Sequence, residues 1–134
     1  MVAITVEPFI LRDVDLMIGT DNYEAHTSQV EFTPTVSAVS WTGLANNTVT
    51  SQTTATWGCT IALAQDWGTL NSLSQYLMDN EGLVVPCTFT PASGQGSFAA
   101  NITITPGAIG GTAGAFAVAT VTLGSTKPVF TPAV

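Results

Sequence analysis

Thr53-Thr-Ala-Thr-Trp-Gly-Cys-Thr-Ile-Ala-Leu-Ala-Gln65 decides the fold class of this chain. Trp57, Cys59, Ile61 and Leu63 recur at a spacing of two, with Thr54, Thr56, Gly58, Thr60, Ala62 and Ala64 between them. Side chains of an extended strand alternate between faces, so this pattern predicts a strand with one buried and one Thr-rich face. Immediately afterwards the period changes. Leu70, Leu73, Tyr76 and Leu77 recur at helical spacing, which predicts one short helix over about residues 70–81. Thr69 or Asn71 is the expected N-cap and Gly82 the expected stop.

Working outward, alternation recurs on both sides. Residues 13–19 predict a strand with Val14, Leu16 and Ile18 inward and Asp13, Asp15 and Met17 outward. Residues 23–33 predict another, with Val30 and Phe32 inward and Glu31 outward, ending at Pro34. Residues 36–42 form a third around Trp41, and residues 43–52 an uncharged long loop or hairpin tip rich in turn formers. Residues 83–90, 98–105 and 115–123 complete the set. The expectation is a mainly β protein, an antiparallel β-sandwich or flattened barrel with one short helix, forming a single domain over residues 1–134. An N-terminal arm (about 1–12) and a C-terminal arm or edge segment (about 124–134) flank it. The expected core comprises Trp41, Trp57, Cys59, Ile61 and Leu63 from the first half. Leu73, Leu77, Phe89, Ile102 and Ile104 complete it.

Charged residues make up only 8% of the chain, against about 25% in an average soluble domain. Arg12 and Lys127 are the only basic residues, and nine acidic ones set the net charge at −7. Such a balance argues against nucleic-acid binding, which needs Lys and Arg facing phosphate. Surfaces poor in charge suit burial against neighbouring subunits. Met1 to Arg12 has no basic region followed by an apolar run, so a cytoplasmic start is expected, with no membrane partner. Cys59 and Cys87 then read as reduced core thiols, although a disulfide is open if their strands lie side by side.

Chemistry-bearing motifs are sparse. His26 is the single histidine and has no nucleophile pattern around it. Asp13 and Asp15 lack further calcium ligands. Gly107-Ala-Ile-Gly-Gly-Thr-Ala-Gly114 lacks the Gly-Lys-Ser/Thr of a phosphate loop. No enzyme activity, cofactor or metal is therefore expected. Trp41, Trp57 and Trp67 raise an alternative, a carbohydrate-binding β-sandwich module, but the first two fall on apolar strand faces.

Four ordered segments carry a resemblance. They are Trp57-Gly-Cys-Thr-Ile-Ala-Leu-Ala-Gln-Asp-Trp67, Asn71-Ser-Leu-Ser-Gln-Tyr-Leu-Met-Asp-Asn-Glu-Gly82, Val85-Pro-Cys-Thr-Phe-Thr-Pro91, and Pro106-Gly-Ala-Ile-Gly-Gly111 with Ala117-Val-Ala-Thr-Val-Thr-Leu-Gly124. With Lys127-Pro128, they resemble the tail tube (major tail) proteins of long-tailed bacteriophages over about residues 53–128. The resemblance implies a structural virion protein assembled in the host cytoplasm, whose hexameric rings stack into a tube. Its implied partners are further copies of itself, the tape measure protein, tail tip and tail terminator proteins, and DNA passing through the lumen without specific binding. Asp13, Asp15, Glu24 and Glu31 are then candidates for an acidic lumen that repels phosphate. Pro8, Phe9, Leu44, Asn46, Asn47, Val49, Lys127 and Pro128 are candidates for contacts between rings. Other virion roles (capsid decoration, tail terminator, neck) are the alternatives.

Overall fold

A computed structural model describes residues 2–133. The architecture is an antiparallel β-sandwich with one short helix. Strands β1 (Asp15–Ile18), β2 (Asp21–Asn22), β7 (Val84–Thr90), β8 (Ser97–Thr103) and β10 (Val129–Thr131) form one layer. Strands β3 (Thr27–Thr35), β6 (Thr56–Ala64) and β9 (Val118–Ser125) form the other. The layers meet at a corner where β8 and β9 share only the pairs Ile102↔Ser125 and Thr103↔Gly124. Past this corner the chain switches layers, and Val129–Thr131 pairs with Ala99–Ser97 of β8. Strands β4 (Ala38–Thr42) and β5 (Thr48–Gln52) make a separate two-stranded sheet.

Alternation drives the packing. In β6, Cys59, Ile61 and Leu63 are buried, and they oppose Leu16, Ile18, Cys87 and Ile102 from the first layer. Val121 and Leu123 of β9 extend the same core. The opposite face of β6 and β9 is a threonine surface, with Thr60 and Thr122 hydroxyls 3.3 Å apart across the strands. Among buried threads of this kind, each fully buried aliphatic side chain contributes about 1.5–3 kcal/mol.

Helix α1 (Leu73–Asp79) packs Leu73 and Leu77 into the core. It starts later than the periodicity suggests. Asn71 takes a left-handed φ of 62°, and Leu70 is exposed. Asp66 accepts hydrogen bonds from the Gly68 and Thr69 amides instead, so residues 66–71 form turns. Ser72 is the N-cap, accepting from the Gln75 amide. Asn80 caps the other end, two residues before Gly82.

Other departures have equally local causes. Pro34 does not end its strand, because β3 is an edge strand paired only with β6 and one side of its backbone needs no partner. Glu24 lies in a 3-10 turn (Glu24–His26) rather than a strand. Asp13 precedes β1 with a left-handed φ of 52°. Cys59 and Cys87 are unbonded and buried; desolvation pushes both thiols up to about 12, with mutual repulsion adding to the rise at Cys59.

Candidate assembly surfaces

The β4–β5 hairpin is where the chain departs most from an ordinary core. Its five pairs run from Ala38↔Gln52 to Thr42↔Thr48, and all ten residues are exposed. One face carries Val39, Trp41 and Val49. The other carries Ser40, Thr42, Thr48 and Thr50, whose hydroxyls pair across the strands. The tip closes through Gly43, which donates to the Asn47 carbonyl and accepts from the Asn46 amide, with Asn46 left-handed at φ 61°. A Cβ on Gly43 would push against the Asn47 side chain and the Trp41 ring, so a larger residue there requires those exposed side chains to shift. Trp41, expected in the core, is 62% exposed: its strand alternates correctly, but no second layer covers its apolar face. Leu44, Asn46, Asn47 and Val49, the expected contact residues of the tip, all face solvent.

A second surface sits where the hairpin leaves the body. A cavity of about 630 Å³ opens there between the layers. Phe32 and Phe89, one from each layer, lie 6.2 Å apart in its wall, and Phe98 adds a third ring. Trp57 lines the same wall and is half-buried rather than core, because it sits at the start of β6, where the cavity opens between the layers. Phe9 and Leu11 reach the cavity from the N-terminal segment, and Lys127 and Pro128 from the layer-switching corner. Residues 2–14 form no strand, and Val2, Ile4 and Val6 are more than 80% exposed.

The third surface lies at the far end of β6. Gln65 donates through Nε2 to the Gly110 and Val118 carbonyls and accepts at Oε1 from the Gly110 amide. This clasp holds a loop that exposes Ile109 and, almost completely, Phe116. Nothing in the local pattern singled out Gln65 or Phe116. The signal that was present is the absence of charge: neither Phe32–Gln65 nor Gly82–Thr126 contains a charged residue.

The four acidic residues considered together above are not gathered on one face. Asp15 projects outward from β1. Glu24 reaches back to the same strand, where its carboxylate accepts from the Leu16 amide at 3.4 Å. Glu31 stands on β3 in the other layer, at the cavity, and accepts from the Thr33 hydroxyl. The tryptophans do not form a platform either, since Trp57 sits near the start of β6 and Trp67 lies three residues beyond its other end.

His26 has a buried Nδ1 without a hydrogen-bond partner and packs edge-on against Tyr23, whose rings are 5.6 Å apart. Among the described residues no three His, Cys, Asp or Glu side chains could hold a metal ion. No described helix is long and apolar enough to cross a membrane.

No family model and no curated protein sequence matches the chain. Its fold is similar to that of a solved sheath/tube terminator from the extracellular contractile injection system PVC, in the extended state. The TM-score is 0.64 at 11% identity, covering 96% of this chain and 99% of that one.

Proposed function

We propose that this protein is a structural, non-catalytic subunit of a phage-like tail, which oligomerises into rings at the tube or at its terminating end. The carrying observation is the fold: the likeness to the sheath/tube terminator covers 96% of this chain and 99% of that one. The surfaces support it. An exposed apolar hairpin, an open aromatic cavity and two long charge-free stretches suit a chain whose surface is covered by neighbours.

In this reading the rings are homo-oligomeric and stack or cap a tube with a lumen for DNA. Asp15, Glu24 and Glu31 keep the particle acidic, so that DNA is repelled rather than held. Tape measure, tip and terminator proteins are the further partners, in a virion assembled in the host cytoplasm. Between tube subunit and terminator, the neighbour favours the terminator, and the ordered segments over about residues 53–128 that resemble tail tube proteins favour the tube.

Negative-stain electron microscopy of concentrated protein tests this. Long hollow tubes are expected of a tube subunit, and single closed rings of a terminator. Discrete trimers without a central channel would point to a capsid decoration protein and overturn the proposal.

A further inference from the structure

Two parts of this chain are each an incomplete sheet. The hairpin has two strands, and a two-stranded sheet standing alone in water is at best marginally stable; three strands with an apolar face are needed. The N-terminal segment forms no strand of its own but carries a strand's alternating pattern. Val2, Ile4 and Val6 alternate with Ala3, Thr5 and Glu7, a spacing that places the three apolar side chains on one face of an extended chain. Those three are 85%, 93% and 81% exposed.

We propose that Val2–Val6 of one copy adds as a third antiparallel or parallel strand to an open edge of the β4–β5 hairpin of a second copy. The inference rests on the ring-forming reading above and names the contact that reading requires.

The two parts match in length, pattern and charge. Strands β4 and β5 each span five residues, as does Val2–Val6. The added strand would continue the apolar face formed by Val39, Trp41 and Val49. Neither Val2–Val6 nor Ala38–Gln52 contains a charge, so no ionised group is desolvated by the pairing. Edge strands are ordinarily protected from open-ended pairing by lysines or inward charges, and this hairpin has none. Main-chain hydrogen bonds of an added strand supply affinity, and alternate side chains supply register.

A second copy is the donor because the pairing is not made within one chain. Among the described residues, strands β4 and β5 pair only with each other, and residues 2–14 join no strand. Elsewhere the subunits carry net negative charge and repel, which leaves these neutral segments as the favourable meeting place.

Hydrogen–deuterium exchange on monomer and on assembled protein tests the proposal, together with Ile4→Pro and Ile4→Val. The whole exposed segment lies outside the core, so both variants should melt like the parent. Expected are exchange slowed by about tenfold or more at alternate amides of residues 2–6 and at one hairpin edge, on assembly only. Ile4→Pro should fail to assemble, and Ile4→Val should assemble normally. Assemblies in which residues 2–6 exchange as fast as in the monomer, or in which Ile4→Pro assembles like the parent, overturn the strand addition while leaving the ring-forming reading intact. Protection already present in the dilute monomer overturns it in favour of pairing within one chain. A parent protein that never assembles overturns both.

Discussion

Gln65 grips Gly110 at both ends of one residue, with Nε2 2.8 Å from its carbonyl oxygen and Oε1 2.9 Å from its amide nitrogen. A single side chain thus supplies both partners that a strand would supply. Gly110, at φ 95°, could not take the place of a regular strand residue there. The clasp ties the uncharged loop after β8 to the end of β6 and holds Phe116 and Ile109 on the surface.

Removing that grip should loosen the loop without unfolding the sandwich. Gln65→Ala is expected to cost about 1–2 kcal/mol, since hydrogen bonds of this kind contribute about 0.5–1.5 kcal/mol each and the site is only half-buried. Thermal melting reads the stability loss. Limited chymotrypsin digestion should show new cleavage after Phe116, and unchanged cleavage there would refute the clasp.

The core and the hairpin should respond in opposite ways. Ile61→Ala removes a fully buried side chain and is expected to destabilise by about 2–5 kcal/mol in denaturant titration. Trp41→Ala should change monomer stability by no more than about 0.5 kcal/mol and should abolish assembly. A large stability loss at Trp41 would show that the hairpin is covered within its own subunit.

Ser72 joins the turn after β6 to the helix. Its hydroxyl donates to the Asp66 carbonyl and accepts from the Gln75 amide as N-cap. Ser72→Ala should cost about 1–2 kcal/mol, whereas Ser72→Thr, which keeps the oxygen, should recover most of that. Equal losses in both would place the effect in packing rather than capping.

Alkaline pH should be a specific weakness. Burial raises Cys59 and Cys87 from 9.0 to about 12, and raises Tyr23 from 10.0 to about 12, with Asp21 adding to the latter. The unfolded chain therefore releases these protons first. Stability from these groups is complete below about pH 9, falls as pH rises, and is lost as pH passes about 12. Denaturant midpoints measured between pH 8 and 11 should decline, and Cys59→Ala with Cys87→Ala should flatten the decline between pH 9 and 10. The same thiols should resist alkylation until the protein unfolds.

Much of the β architecture was legible because alternation reports which residues share a face. It placed Leu16, Ile18, Cys59, Ile61 and Ile102 together correctly. Alternation cannot report whether a face is covered, and this is why Trp41 was expected in the core and stands on an open hairpin. The helical period was visible from Leu70, but the start depends on Asn71 being left-handed and on the Asp66 turn, neither of which leaves a periodic trace. The aromatic cavity joins Phe9, Phe32, Phe89 and Lys127, residues brought together by the layer-switching corner and by no local spacing.

The most direct test of the central claim is sedimentation velocity over a concentration series, with negative-stain imaging of the same fractions. Closed rings or ring stacks with a central channel are expected, appearing as concentration rises and absent from Trp41→Ala. A parent protein that remains monomeric at every concentration, with the same profile as Trp41→Ala, would contradict it.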